Sequence, residues 1–359
     1  MVEPSMKRLF RPIPLLVACV LLPQAHADIL IGSFSGDINV RRPILSFADA
    51  ANGDTAPLRV MGGATSGLIE PVAGVYEGDE NVIYVADFRG QSISVFSASS
   101  TNGDPAPLRA IGPTYVSQAR SVAVDTAHDE LFIVSSCCFK VFDRNASGDV
   151  SFKRFVQWGG LSGSVTQQNF PTSIVYMPAT DEVAETDTDS ASPYTPKVLV
   201  FNRTDSGNAA PKRVIKGAST LLGNYAGALA YDAPSRKLFV GAYTTNPDNS
   251  HSARIVVFDD MANGNVVPLR TIAGSLTGLE LAATSSIGGV AIDPERQRLI
   301  VSISDYATAA NGKLLVFSLS ANGNVAPLQT IAGPQASFQT SLGTPIWMLS
   351  DRIFRNGFQ

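Results

Sequence analysis

The chain has 359 residues, of which 45% are hydrophobic and 16% are charged, and its formal net charge is −4. This much apolar sequence with so little charge can build a packed core, which excludes an intrinsically disordered protein. Without an excess of Lys and Arg the chain offers no electrostatic footprint for a phosphate backbone, so we expect no nucleic-acid partner.

The N-terminal segment has the pattern of a secretory signal peptide. A basic start at residues 6–11 precedes an apolar run at residues 13–22, and Ala25-His26-Ala27 matches a small-residue cleavage signal before Asp28. The run is too short to span a bilayer. We therefore expect residues 1–27 to be removed, leaving a periplasmic or secreted protein with no membrane span. The alternative is a lipobox ending at Cys19, which would leave a lipid-anchored N-terminus.

One motif recurs six times after this segment. Each copy has an apolar run ending in Phe, then a polar turn with Gly, and then, six residues after the Gly, an Arg or in the last copy a Gln. The glycines are Gly53, Gly103, Gly148, Gly207, Gly264 and Gly323. Self-similarity at such a period indicates a repeat architecture, in which one structural unit is stacked many times.

Each repeat contains four short segments with strand character. The first is small and apolar, as at residues 121–125, and the second follows a charged turn, as at residues 131–134. The third ends in the motif Phe, and its turn carries Asn-Gly or a similar pair that tolerates positive φ. The fourth contains Pro, which has no N–H to donate, so we place it outermost. Four antiparallel strands repeated six times predict an all-β six-bladed β-propeller over residues 28–359. A solenoid is the alternative.

The two ends of this domain predict how the ring closes. Residues 28–32 match the second strand of a blade, and residues 343–348 match a first strand. One blade would then take its inner strand from the C-terminus and three strands from the N-terminus. We expect Ile346-Trp347-Met348 to pair with Ile29-Leu30-Ile31, because closure removes the open sheet edge.

Two sets of recurring polar residues are expected to serve the fold. Asp125, Asp232 and Asp293 each end a first strand and should cap the following turn with side-chain hydrogen bonds. The recurrent arginines stand on outer strands, where their guanidinium groups should bond to a neighbouring blade.

One copy resembles a known repeat. Residues 84–96, with the sequence YVADFRGQSISVF, and the preceding residues 71–75, PVAGV, resemble the NHL repeat. This resemblance implies a propeller that binds or scaffolds partners. The related six-bladed group includes metal-dependent lactonases such as gluconolactonase and regucalcin, and a peptide-amidating lyase. A metal-dependent lactonase-type hydrolase is therefore the alternative function.

The loops that join second and third strands vary most between copies, and variable loops on a regular scaffold usually carry function. From them we select Asp87, Arg89, Tyr243, Asp305 and Tyr306 as a ligand-binding set on one face. Arg89 would pair with an anionic group, and the tyrosines would stack on or hydrogen-bond a ring. The alternative is a set of solvated turns in which Arg89 merely pairs with Asp87.

An acidic segment suggests a possible Ca²⁺ site. Glu185, Asp187 and Asp189 alternate, so an extended chain would place all three carboxylates on one face. Such carboxylates repel one another unless they are solvated or bridged by a hard cation. The alternative is a flexible acidic loop.

Two adjacent cysteines, Cys137 and Cys138, remain after cleavage. We expect them in the tight connection between a second and a third strand, at the loop face. In an oxidising compartment they would form a vicinal disulfide, and the alternative is two reduced thiols. A zinc site is disfavoured because the mature chain offers only His128 and His251 as further soft ligands.

Catalytic motifs find little support in the sequence. Ser164 stands where a G-x-S-x-G elbow would have its last glycine, and two histidines leave little scope for a Ser-His-Asp triad. The leading hypothesis is thus a non-enzymatic binding module. Carboxylate and amide side chains converging in the channel would favour the hydrolase, and a channel lined by Ser, Ala and Gly would favour binding.

Overall fold

The computed structural model describes residues 27–34, 40–189, 194–308, 311–338 and 341–349. The predicted signal peptide, apart from Ala27, and the alternative lipid anchor at Cys19 lie outside the described residues. Within those residues, no helix has the length and apolar character needed to cross a membrane.

The described chain is built almost wholly from short strands. In chain order they are β1 (Ala27–Ile31), β2 (Ser33–Phe34), β3 (Ile44–Ala48), β4 (Arg59–Met61), β5 (Pro71–Glu77), β6 (Val82–Asp87), β7 (Ser92–Ser97), β8 (Arg109–Ile111), β9 (Ser121–Asp125), β10 (Glu130–Val134), β11 (Phe139–Asp143), β12 (Arg154–Phe155), β13 (Ser173–Met177), β14 (Glu182–Thr188), β15 (Pro196–Asn202), β16 (Arg213–Ile215), β17 (Tyr225–Asp232), β18 (Lys237–Thr245), β19 (His251–Asp259), β20 (Arg270–Ile272), β21 (Glu280–Leu281), β22 (Ser285–Asp293), β23 (Arg298–Asp305), β24 (Lys313–Ser318), β25 (Gln329–Ala332), β26 (Ser341–Leu342) and β27 (Ile346–Leu349).

These strands form six blades of four antiparallel strands, which confirms the predicted propeller. Numbered along the chain and given from inner to outer strand, the blades are β27-β1-β3-β4, β5-β6-β7-β8, β9-β10-β11-β12, β13-β14-β15-β16, β17-β18-β19-β20 and β22-β23-β24-β25. The short strand β21 adds to β19 of blade five, and β2 pairs with β26.

The ring closes as predicted. Blade one takes its inner strand from the C-terminus, with Ile29 opposite Trp347 and Leu30 opposite Ile346. Each inner strand also contacts the inner strands of both neighbouring blades, around the full circle. The six inner strands therefore surround a central channel.

The motif phenylalanines form the contacts between blades. Each is at most 1% exposed and packs among side chains of the preceding blade, as Phe142 does against Tyr84, Ile93 and Val95. The six are Phe47, Phe96, Phe142, Phe201, Phe258 and Phe317. Burial of one aromatic ring per blade explains why this residue recurs at a fixed place.

The motif glycines also act between blades, beyond the local hairpin turn that the sequence suggested. Each adopts a positive φ, between 64° and 82°, and bridges to the outer strand of the preceding blade, as Gly103 does to Met61. The Asp or Asn that follows each Gly accepts backbone N–H groups from that blade. Asp104, for example, accepts from Thr65 at 2.8 Å and Ser66 at 2.7 Å.

The recurrent basic position completes this contact in five of its six copies. The side chain at the start of the outer strand donates to backbone carbonyls of the next blade, which confirms the expectation for four of the five arginines. The pairs include Arg109 to Arg144, Arg154 to Arg203, Arg213 to Asp260, Arg270 to Leu319 and Gln329 to Asp49. In the remaining copy, Arg59 pairs with Asp28 of its own blade.

The aspartates at the ends of first strands cap their turns, as expected. The Asp125 carboxylate accepts the backbone N–H of Ala127 at 2.9 Å, and that of Asp293 accepts the N–H of Arg296 at 2.9 Å. Asp232 accepts the hydroxyl of Ser235.

Candidate functional site

One face of the disc collects the loops between second and third strands. Antiparallel pairing sets Pro71 opposite Asp87, Tyr225 opposite Tyr243, and Ser285 opposite Asp305. First strands therefore begin, and second strands end, at the same side, which we call the loop face. The opposite side, at residues 126–129 and their equivalents, is the far face. All five residues of the predicted ligand-binding set lie at the loop face.

The central channel has a volume of about 350 Å³ and small or apolar walls. Its lining includes Gly74, Ala123, Ser173, Ala230 and Ala291, and three tyrosines line it near the far face. No lining residue in the described part of the chain carries a carboxylate, an amide or an imidazole. The channel therefore offers no set of ligands for a catalytic cation.

Aromatic side chains gather where the channel opens on the loop face. The ring of Tyr225 stacks on Tyr243 with centroids 5.1 Å apart, and Tyr243 stacks on His251 at 4.2 Å. Burial raises the pKa of Tyr225 to about 12; Tyr306 and Tyr243 add to the rise, and the Arg120 guanidinium opposes it. Tyr225 of blade five is thus within electrostatic range of blade three and of blade six. We call Phe88, Arg120, Tyr225, Tyr243 and Tyr306 the mouth cluster.

A bulge in the inner strand of blade five holds Tyr225 in place. The pairing of β17 with β18 shifts between Ala226 and Ala228, and Gly227 lies in this irregularity. A Cβ at position 227 would collide with the ring of Tyr225. The absence of a side chain at Gly227 therefore lets the tyrosine lie against the channel wall.

Arg120 is the cation of the mouth cluster. It precedes β9, its backbone N–H donates to Val134, and its guanidinium lies 5.2 Å from the centroid of the Phe88 ring. The side chain is half-buried, and burial lowers the pKa of its guanidinium. Among the described residues, no carboxylate lies within ion-pair distance of it. A desolvated guanidinium without an anion is an open position for one.

Two residues of the predicted set have their carboxylates occupied by the fold. Asp87 is fully buried and accepts the backbone N–H groups of Ile69, Glu70 and Gly90 at 2.7–2.8 Å. Asp305 is 2% exposed and accepts from the N–H groups that follow it and from Asn311. Both carboxylates hold loops, so a ligand would find few free lone pairs on them.

The other members of the predicted set remain open to solvent or to the mouth. Arg89 is half-buried and forms an ion pair with Glu70 at 3.4 Å, instead of the alternative pairing with Asp87. Tyr306 is 58% exposed, and its hydroxyl lies 2.8 Å from that of Ser286. Tyr243 belongs to strand β18, whereas the sequence had placed it in a loop.

A cleft adjoins the mouth cluster between blades four and five. It has a volume of about 370 Å³, and both Tyr225 and Tyr243 line it. Phe170 and Tyr194 form its outer part and are 51% and 61% exposed. Thr172, Thr188, Asn224 and Thr245 supply its polar lining. The cleft is thus an aromatic space with a few hydrogen-bonding groups, the usual make-up of a small-molecule site.

The predicted acidic segment is not a loop. Glu185 and Asp187 lie within β14, where both are buried, and only Asp189 follows the strand. Lys197 stands opposite Asp187, with its ammonium 3.5 Å from that carboxylate and in contact with Asp189. The flexible-loop alternative is therefore wrong. The calcium site stays a prediction, and the Lys197 ammonium counts against it because it already pairs with two of the three carboxylates.

A second group of possible metal ligands lies at the far face. Ligand atoms of Asp125, His128 and Asp181 all lie within 4.8 Å of one another. The Nε atom of Arg203 approaches Asp181 at 2.6 Å and Asp125 at 3.7 Å. An arginine therefore supplies the positive charge that a metal ion would bring.

The two cysteines lie where the sequence placed them, in the turn between β10 and β11. The backbone N–H of Ser135 donates to the carbonyl of Cys138 at 3.0 Å, which closes the turn. Both residues are free thiols. A hydrogen bond from Cys138 lowers the pKa of Cys137 to about 6 against the effect of burial, and Lys140 assists. The same hydrogen bond, together with burial, raises the pKa of Cys138.

We expect the two reduced thiols to react very differently. Iodoacetamide should alkylate the half-buried Cys137 with an apparent midpoint near pH 6, because its thiolate is the nucleophile. Cys138, only 3% exposed, should resist until the protein unfolds. Peptide mass spectrometry across a pH series measures both rates. Equal labelling with a common midpoint near pH 9 would contradict the geometry, and the predicted disulfide would show as protection of both thiols before reduction.

Sequence reasoning missed Arg120, Tyr225 and His251. Arg120 and Tyr225 stand at the entry to first strands, where the other blades carry residues such as Pro71 or Ser285. Their size and polarity at a strand entry are the signal that the sequence carries for them, and this signal does not show which way either side chain faces. His251 had been placed in a long loop, but it opens strand β19.

Comparisons with known proteins support the architecture. No family model matches the chain, and no curated protein matches it in sequence. A chain from a nidogen–laminin complex superposes with a TM-score of 0.55 and 15% identity, over 90% of this chain and 99% of that chain. A chain of Kuenenia stuttgartiensis hydrazine synthase and one of a mitotic checkpoint complex give TM-scores of 0.48 and 0.47, with 11% and 14% identity. They cover 77% and 84% of this chain and 70% and 76% of theirs. The nidogen–laminin match, at 15% identity, shows the fold alone.

Proposed function

We propose that this propeller is an exported, non-enzymatic binding module of NHL type, and that it takes a small molecule at the channel mouth on its loop face. The observation that carries the proposal is the contrast between channel and mouth. The channel walls are small or apolar apart from three tyrosines near the far face, whereas aromatic rings and one guanidinium converge at the mouth from four different blades. Convergence of a few polar and aromatic groups on a concave surface is typical of ligand sites.

The lactonase alternative lacks its main requirement in this geometry. A metal-dependent hydrolase needs carboxylate, amide or imidazole ligands around a cation near the channel, with room for substrate. The lining side chains of the described channel are Gly, Ala, Val, Ser, Tyr and similar residues. Hydrolysis of glucono-δ-lactone, measured with added Ca²⁺, should therefore run no faster with the protein than without it.

Export is part of the proposal on sequence grounds. Cleavage before Asp28 would remove only the first residue of β1. The remaining residues of the strand would stay buried between β27 and β3. The NHL assignment rests on β6 and β7, which contain the YVAD segment and the apolar run after it.

The binding site is tested by removing one ring of the mouth cluster. Replacing Tyr225 with Ala should weaken binding of the neutral planar probe 4-hydroxybenzamide by roughly threefold to tenfold, the loss expected for one aromatic contact. Tyr231→Ala is the matched control, because it removes the same side chain from the other end of β17. Isothermal titration of the mature protein measures both. Equal weakening by the two variants, or no binding by the unaltered protein, would contradict the proposal.

A further inference from the structure

We infer that the ligand is a small organic anion, whose negative group is bound by Arg120 and whose ring lies on Tyr225. This inference rests on the proposed function and adds the chemical class of the ligand. The observations behind it are the unpaired charge at the mouth and the aromatic surface beside it.

Arg120 differs from Arg89, the guanidinium group in the adjacent blade near the loop face, in having no acidic partner among the described residues. Arg89, in the adjacent blade, pairs with the buried Glu70 at 3.4 Å. Asp87, the other carboxylate close to Phe88 along the chain, is taken up by three backbone N–H groups. No acidic side chain of the described residues therefore compensates Arg120. Among these residues the half-buried guanidinium has no acidic partner, so its N–H donors are open to an anion from outside the protein.

The guanidinium is also held in position. A cation–π contact places it 5.2 Å from the centroid of the Phe88 ring, and the desolvation that lowers its pKa strengthens any ion pair formed there. A planar guanidinium fixed on a ring can offer two parallel N–H donors, which match the two oxygens of a carboxylate.

The position of Tyr225 indicates where the ring of the ligand would lie. The tyrosine ring belongs both to the mouth cluster and to the lining of the cleft between blades four and five. Arg120 and Tyr225 stand at the loop-face ends of the inner strands β9 and β17, around the same channel mouth, so the remaining atoms of an anion bound at Arg120 would extend towards the tyrosine and the cleft. Apolar or planar groups are favoured in that space, because Tyr243, Phe170 and Tyr194 line it together with Tyr225.

A separate cleft, lined by Arg254, is the competing site for an anion, and it is less suited to bind one. Arg254 is half-buried like Arg120, but it already donates to the carbonyls of Leu221 and Ser252 and to the hydroxyl of Thr244. Its donors are satisfied by neutral oxygens, so it serves as the matched control for Arg120.

The test compares two isosteric probes on the mature protein. Isothermal titration should show 4-hydroxybenzoate binding at least about tenfold more tightly than 4-hydroxybenzamide, because a hydrogen bond to a charged group is stronger than one to a neutral group. Arg120→Gln should abolish this preference by weakening 4-hydroxybenzoate binding much more than 4-hydroxybenzamide binding, and Arg254→Gln should preserve it. The preference should also shrink as ionic strength rises.

The outcomes separate this inference from the proposed function. If both probes bind equally and Tyr225→Ala weakens both, the module binds at the mouth but its ligand is not selected for charge, and the inference is wrong. If inorganic phosphate binds as tightly as 4-hydroxybenzoate and Tyr225→Ala leaves both unchanged, the ring contact is wrong. If neither probe binds the unaltered protein, both the inference and the proposed site fail.

Discussion

Replacing Arg213 with Ala should lower the free energy of unfolding by about 3 kcal/mol, one of the two largest effects we expect. Arg213 is 7% exposed and donates from both terminal nitrogens to the buried Glu182, in the same blade. One of those nitrogens also donates to the carbonyl of Asp260 in the next blade at 2.9 Å. Removing the guanidinium leaves a buried carboxylate poorly compensated, which typically costs about 3–5 kcal/mol. Lys212, which also pairs with Glu182, places the value at the lower end.

The pH dependence of this variant follows from Glu182. Burial opposes ionisation, but hydrogen bonds from Arg213 and Lys212 lower the pKa of Glu182 to about 2 from its ordinary value of 4.5. A lowered pKa in the folded state stabilises the fold above pH 4.5, and that stabilisation is lost as the pH falls towards 2. The free energy of unfolding that is lost between pH 4.5 and pH 2 should therefore be smaller in Arg213→Ala than in the unaltered protein.

Arg270→Ala is the control, since Arg270 donates to the backbone carbonyls of Leu319 and Ala321 and has no carboxylate partner among the described residues. Its loss should cost about 1–2 kcal/mol. Guanidinium-induced unfolding measures both variants. If Arg213→Ala costs no more than Arg270→Ala, the buried ion pair does not have the role assigned to it.

Replacing Glu185 with Gln should stabilise the protein, increasingly so as the pH rises. Glu185 is 1% exposed, and neither of its carboxylate oxygens has a hydrogen-bond partner among the described residues. Burial, and then the neighbouring charge of Asp187, raise the pKa of Glu185 well above its ordinary value of 4.5. The folded state therefore holds a proton that the unfolded chain releases.

The sign of the effect follows from that proton. A raised pKa in the folded state contributes stability below pH 4.5, and the contribution is lost as the pH rises through the folded pKa, at up to about 1.4 kcal/mol per pH unit. Gln keeps the shape and has no proton to lose. Glu185→Gln should therefore gain more than about 1.4 kcal/mol over the unaltered protein at pH 7 and little at pH 4.5.

Equilibrium unfolding between pH 4.5 and pH 8 measures this difference. The control is Glu280→Gln on the exposed strand β21, which should stay within about 0.5 kcal/mol of the unaltered protein at every pH. A gain for Glu185→Gln that does not change with pH, or a loss at pH 7, would show that the carboxylate is ionised and paired in the folded protein.

The fold was predictable because the blades repeat nearly the same contacts. A buried Phe, a Gly at positive φ and a donor at the start of the outer strand recur at fixed spacing, so the blade count and the closure by Ile346 and Leu30 followed from the sequence. What the motif does not reveal is that its Gly bridges to the preceding blade. A hairpin turn within one blade and a backbone bridge between two blades use the same residue types.

The candidate site was only partly predictable. Of the residues selected from the sequence, Tyr243 and Tyr306 belong to the mouth cluster, whereas Arg89 pairs with Glu70. The Asp87 carboxylate holds the segment before β5 and the loop that follows it. Arg120 and Tyr225 stand at strand entries, where sequence pattern does not tell a side chain that faces the channel from one that faces a neighbouring blade. The alternation of apolar residues in the sequence does not predict the bulge at Gly227, which positions Tyr225.

The central claim, that ligands bind at the mouth of the channel on the loop face, is tested most directly by a crystallographic fragment screen of the mature protein. Fragments with a carboxylate and a ring should concentrate beside Arg120 and Tyr225, with oxygen atoms within hydrogen-bond distance of the Arg120 guanidinium. A screen whose fragments cluster instead at the far-face tyrosines of the channel, Tyr76, Tyr176 and Tyr231, or scatter over the disc and leave the mouth empty, would contradict the claim.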